Sequence, residues 1–235
     1  DLDVFLNAKI IDWEKYKLEL SKRLGLDNTF IRAILKKAQK NPKKVLFADA
    51  ENLTVLKAVQ QVIQEKIAVP ILLGNRQKIQ QILQFNRIEL PSDIEIINPK
   101  HAANEAEHER FKEFGDIYFE KRKRKGVTLQ EAHNIMSRRN YYGSMMVELG
   151  YADTMVGGLS RSYPDTIKPA IQIIGPKEGI KKIAGMYMIM SKFGPIFLAD
   201  TTINFDPEIE DLVEITELVS EEVKRFNMTP RIAMV

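Results

Sequence analysis

Cysteine is absent from the 235 residues, which excludes disulfides, thiolate metal sites and a cysteine nucleophile. Histidine is scarce. His101, His108 and His133 lack the spacing of a helical zinc site, and the first two stand in a polar, acidic stretch, so all three are expected on the solvated surface. Neither sign of charge dominates: the net charge of +3 and pI near 8.9 are too mild to require a nucleic-acid partner. No apolar run reaches membrane-spanning length and no signal-peptide pattern opens the chain, so the expected compartment is the cytoplasm. What remains, 44% hydrophobic and 29% charged residues, suits a globular protein of one large or two small domains.

Residues 1 to 42 read as helical and connective. Trp13, Tyr16, Leu20 and Leu24 recur at helical spacing between Asp12 and Gly25, and a second helix from about Asp27 ends at Asn41-Pro42. From Lys43 strands and helices alternate. KKVLFADA is a strand, with Asp49 the expected cap of a helix that buries Leu53, Leu56, Val59 and Ile63; AVPILLGN is a second strand, followed by a helix carrying Ile79, Ile82 and Leu83; Ile94–Ile97 is a third. Such alternation predicts a parallel sheet covered on both faces, with ligands beyond the carboxyl ends of its strands. A charged helix over 103–125 presents Phe111, Phe114 and Tyr118, and ends in Lys121-Arg122-Lys123-Arg124-Lys125-Gly126. That basic run is either a solvated helix end or an anion site. Thr128 and Glu131 then form a capping box.

The chain is organised around Tyr141–Gly175. A helix with Tyr142, Met145, Met146 and Leu149 stops at Gly150, and the strand Thr154-Met155-Val156 runs into Gly157-Gly158. Ser160, Arg161, Ser162, Tyr163 and Asp165 follow, and a helix is expected to open near Thr166 with Lys168 and Pro169 in its first turn. Paired glycines, hydroxyls, a fixed cation and a helix start are the parts of a phosphate or oxyanion cradle, and equally of a plain strand-to-helix turn. Further on, IAGMYMIM (183–190) reads as a strand whose alternate methionines pack in the core. Phe193-Gly194-Pro195 turns, and Ile196–Ala199 is another strand, ending at Asp200-Thr201-Thr202 and Asn204. Asp200 and Asn204 are placed for ligand contact there, and are also common turn residues. Asp206 as cap and Pro207 at the first position predict a long helix burying Leu212, Ile215, Val219, Val223 and Phe226. Arg231–Val235 reads as the opening of a buried strand, the mark of a fragment of something longer.

The series VLFADAENLTVLKA, AVPILLGN, FEKRKRKGVTLQEA, YYGSMMVELGYADTMVGG, SYPDTIKPAIQIIG and IFLADTTIN is similar, in order and spacing, to the phosphotransacetylase family, over residues 43 to 235. GLSRSYPD, FLADTTINFDP and EEVKRFNMTPRIAM, together with the helical leader, resemble the phosphotransacetylase-like C-terminal domain of hybrid NADP-dependent malic enzymes. The resemblance implies a three-layer αβα fold with a mostly parallel sheet and two subdomains, truncated at its C-terminus. Residues 1–42 would be a linker from a missing malic enzyme domain, which would hold any NADP and divalent metal, and 43–235 an incomplete phosphotransacetylase-like domain.

Family members bind coenzyme A between the subdomains and move acetyl between phosphate and coenzyme A. Arg122 falls on a phosphate-site arginine of the family, while Lys168 stands where a second such arginine is found and Thr54 where active members carry another. Lysine keeps the charge but loses the planar fork. The family's catalytic carboxylate lies beyond Val235, so no catalytic residue is assigned. The implied role is a regulatory and oligomerisation domain that senses acetyl-CoA, with Arg122, Lys168, Ser160, Arg161, Ser162, Thr166, Asp200 and Asn204 as candidate ligand-binding residues. An active phosphate acetyltransferase and a ligand-free assembly domain are the alternatives.

Overall fold

The computed structural model describes Trp13, Tyr16, residues 29–191 and residues 194–235. The helix expected over Asp12–Gly25 falls largely outside the described residues, as does Phe193. Helix α1 (Thr29–Lys40) leads into strand β1 (Lys43–Phe47), α2 (Leu53–Gln64), β2 (Ala68–Leu73), α3 (Arg76–Phe85) and β3 (Glu95–Ile97). Then come α4 (Glu105–Arg122), a 3-10 turn (Lys123–Lys125), α5 (Leu129–Met136), α6 (Arg139–Glu148), β4 (Thr154–Val156) and α7 (Tyr163–Ile173). Strands β5 (Met186–Ser191) and β6 (Gly194–Ala199) and helix α8 (Ile209–Arg225) complete the order.

Strands β1 to β4 form one parallel sheet in the order β3-β2-β1-β4. Side chains alternate across its two faces, and so do the cores. Leu46, Ile71, Leu73 and Ile97 point to one side, where Phe114, Tyr118, Met136, Tyr142, Met145 and Met146 of α4 to α6 cover them. Phe47, Leu72 and Ile96 point to the other, under Leu56 and Val59 of α2 and Ile79 of α3. These strands are buried on both faces, which is why they read as continuous apolar runs. Packing is close at Gly143 of α6, where a Cβ would come within 2.5 Å of the Met155 sulfur and 3.1 Å of the Leu46 side chain.

Strands β5 and β6 pair antiparallel as a separate two-stranded ribbon. The strand predicted from Ile183 starts at Met186, and the ribbon is not a packed core element: Tyr187, Met188, Ile189, Ile196 and Leu198 are all exposed. Phe226, the C-cap of α8, joins this part to α1 through tilted ring contacts, Phe197–Phe226 at 5.6 Å and Phe226–Phe30 at 5.7 Å.

Four local expectations are corrected. The cap of α2 is Asn52, whose side chain accepts from Thr54 N at 2.8 Å, and not Asp49. Helix α7 opens at Tyr163 behind the cap Ser162, so Lys168 and Pro169 lie beyond its first turn. Helix α8 is capped at Glu208, whose N–H donates to Asp211 at 3.1 Å, because that carboxylate offers the closing bond that Asp206-Pro207 does not. Residues Arg231–Val235 adopt no regular structure and are exposed, with no strand of the described residues beside them.

Pro169 sits inside α7 and has no N–H for the carbonyl four residues back. That carbonyl belongs to Asp165, and the buried Asn140 amide of α6 donates to it instead, at 3.0 Å.

Candidate functional site

The strand order reverses beside β1: β2 and β3 lie on one side of it and β4 on the other. In open α/β sheets this switch point is where ligands enter, beyond the carboxyl ends. Here it is closed by the chain itself. Asp49, just after β1 and 5% exposed, accepts from Gly158 N at 2.9 Å, Leu159 N at 3.0 Å and the Ser160 hydroxyl. Gly157 packs its backbone against Ala48, where a Cβ would stand 3.2 Å from the Ala48 methyl, and Gly158 takes φ +109°. The glycine-rich cradle expected after β4 therefore exists, and the anion it holds is Asp49.

A second acidic anchor sits beside it. The Glu51 carboxylate accepts from Asn75 N at 2.9 Å and pairs with Lys78 at 3.0 Å and Arg139 at 3.1 Å. Burial alone would raise its pKa, but the Asn75 N–H, Lys78 and Arg139 outweigh that and hold it below the usual carboxylate range.

The predicted site residues divide into groups. Ser160 is spent on Asp49. Ser162 caps α7 by accepting from Asp165 N at 3.4 Å and donates to the Asp165 carboxylate at 2.7 Å, and the Thr166 hydroxyl donates back to Ser162 O at 3.1 Å. Arg161 is exposed on the same turn. Asp200 is an organiser of its own loop: it accepts from the N–H groups of Gly185, Thr202, Ile203 and Asn204 and from the Asn204 amide. Burial pushes its pKa up, and these donors more than reverse the effect. Asn204 also donates to Ile183 O at 2.9 Å. This loop meets the start of α7 where Tyr163 donates to the Thr202 hydroxyl at 2.9 Å.

Arg122 and Lys168 stand on the facing helices α4 and α7. Of the basic run, Lys121 pairs with Glu148 at 2.5 Å and donates to Ile173 O at 3.1 Å, and Lys123 pairs with Glu120. Arg122 between them is half-buried, and its buried Nε has no hydrogen-bond partner. Helices α4, α6 and α7 meet at one amide: Tyr118 and Tyr141 both donate to Gln172 Oε1 at 2.9 Å. Gln172, Tyr118, Tyr141 and Asn140 were not singled out as site residues; an amide one turn after Lys168 was the signal available.

A small concavity of about 160 Å³ lies beyond β3, between Asn98-Pro99 and Phe111 and Tyr142, below the size usual for ligand sites. His101 and His108 are exposed as expected, while His133 is half-buried and bonds Asp116 at 2.7 Å. Among the described residues no group of three His, Cys, Asp or Glu could hold a metal ion, and no helix is long and apolar enough to cross a membrane.

A family model described as phosphate acetyl/butaryl transferase matches residues 29–235. The chain belongs to this family. It is 32% identical over 228 residues to the NADP-dependent malic enzyme of Escherichia coli, which covers 96% of this chain and 29% of that enzyme. It is also 32% identical over 206 residues to the phosphate acetyltransferase of Synechocystis, 87% of this chain and 29% of that protein. A phosphotransacetylase structure from Streptococcus pyogenes superposes with a TM-score of 0.79 at 31% identity, over 88% of this chain and 61% of that one. The chain thus spans under a third of the malic enzymes it matches. The family's α/β architecture, a parallel sheet flanked by helices, is the one found here.

Proposed function

We propose that this chain is a phosphotransacetylase-like regulatory and assembly domain that binds acetyl-CoA, within a larger NADP-dependent malic enzyme whose oxidative decarboxylation of malate resides elsewhere. The observation that carries this reading is the placement of two cationic residues, Arg122 on α4 and Lys168 on α7, on helices that are in contact. A half-buried guanidinium with an unsatisfied Nε and an exposed ammonium suit a phosphate-bearing ligand. Lys168, though, offers a point charge without the bidentate fork that grips a transferring phosphoryl group. The match to malic enzymes over 96% of the chain supports the same parent. Regulation by acetyl-CoA requires that it bind two states of the parent enzyme with different affinity.

The test is a calorimetric titration of the chain with acetyl-CoA, with free coenzyme A as comparison. Saturable binding that favours the acetylated form is expected, and no binding of either would leave an assembly role. A second reading, an active phosphate acetyltransferase, is supported by the superposition with a phosphotransacetylase. Formation of acetyl-CoA from acetyl phosphate and coenzyme A would establish it and displace the first.

A further inference from the structure

We propose that Gln172 is an anion-binding residue, its side-chain Nε2 joining Arg122 and Lys168 to grip one phosphate-type oxyanion. This rests on the ligand-binding reading above and adds to it a group that recognises the anion through N–H donors.

The argument begins with the tyrosines. Tyr118 and Tyr141 both donate to Gln172 Oε1 at 2.9 Å, with their rings edge-to-face at 5.7 Å. An amide oxygen has two lone pairs, and two phenolic protons use both. With Oε1 so engaged, Nε2 and its two N–H donors are left to other partners. None of the described residues accepts from it. Arg122 Nε also lacks an acceptor, and unlike the half-exposed Gln172 amide it is buried. The lysines on either side of Arg122 have carboxylate partners in Glu148 and Glu120, and Arg122 has none among the described residues.

These donors are held close by helix geometry. Arg122 follows Tyr118 by one turn of α4 and lies within electrostatic reach of both phenols. Lys168 precedes Gln172 by one turn of α7, on the same face. The buried Arg122 Nε left without an acceptor is unfavourable. An acceptor-only ligand with several oxygens and negative charge satisfies guanidinium, ammonium and amide together.

The decisive variant is Gln172→Glu in the full chain. It keeps an acceptor for Tyr118 and Tyr141 and replaces the N–H donors with a carboxylate oxygen. Inorganic phosphate and acetyl-CoA are titrated separately by calorimetry, beside the thermal midpoint. The expected result is a loss of phosphate affinity of at least about tenfold with the midpoint unchanged. The uncharged Gln172→Met, which has no donor, weakens binding several-fold and serves if the glutamate variant unfolds. Wild-type phosphate affinity in either folded variant overturns the assignment. Loss of phosphate binding in the variants, with no acetyl-CoA binding by the wild type, upholds Gln172 and removes acetyl-CoA as the ligand. Phosphate and acetyl-CoA binding both equal in wild type and variants does the reverse. A wild-type chain that binds neither overturns both.

Discussion

At the scale of single residues, carboxylates do more to shape this molecule than cations do. Asp49 meets three donors on a turn more than a hundred residues away, with almost no exposure. Asp49→Ala leaves the Gly158 and Leu159 N–H groups facing a void and should lower stability by about 2–3 kcal/mol, read as a fall in denaturant midpoint. Asp200 makes a different statement, about pH. Its pKa is below the ordinary 3.8 in the folded chain because its backbone donors overcome its burial. The folded state therefore binds its proton less readily than the unfolded chain. Its contribution is present in full above that ordinary value and is lost as pH falls through the depressed one. Denaturant midpoints measured from neutral pH to about pH 3 should decline less steeply for Asp200→Asn than for wild type; parallel curves would assign the acid sensitivity elsewhere.

At the scale of elements, the interest lies in how a helix tolerates Pro169. The Asp165 carbonyl that loses its helical donor gains the Asn140 amide. Asn140→Ala should destabilise by about 1–3 kcal/mol. Pro169→Ala should cost less in that background than alone, since alanine returns the missing N–H. A double-mutant cycle measures that coupling, and additive effects would refute it. The same pair shows what sequence could convey. The strands β1 to β4, the α5 capping box of Thr128 and Glu131 and the stop at Gly150 were legible because each rests on neighbours in the chain. Asn140 looks like any polar residue near a helix start, and only its distant partner gives it meaning. Asp49 was misread for that reason: a local cap was the obvious use, and the actual use lies across the sheet. The ribbon was misread on burial, because alternate methionines in β5 suggest a covered face and Met188 is exposed.

At the scale of the whole molecule, one ammonium ties three helix ends together. Lys121 of α4 reaches Glu148 at the end of α6 and the Ile173 carbonyl at the end of α7. Lys121→Met should reduce stability by about 1 kcal/mol, with a salt dependence weaker in the variant than in wild type. The proposed function belongs to this scale as well, because Arg122 and Lys168 come from different helices. Arg122→Ala and Lys168→Ala should each weaken acetyl-CoA binding by about 1.5–3 kcal/mol, measured by calorimetry; unchanged affinity in both would remove them from the site. The switch-point turn behaves otherwise. A carboxylate on the same chain competes for its N–H groups at an effective concentration that dilution cannot lower. A free phosphate added to the solution must outbid a rival that never diffuses away. The turn is thus selective by prior occupancy.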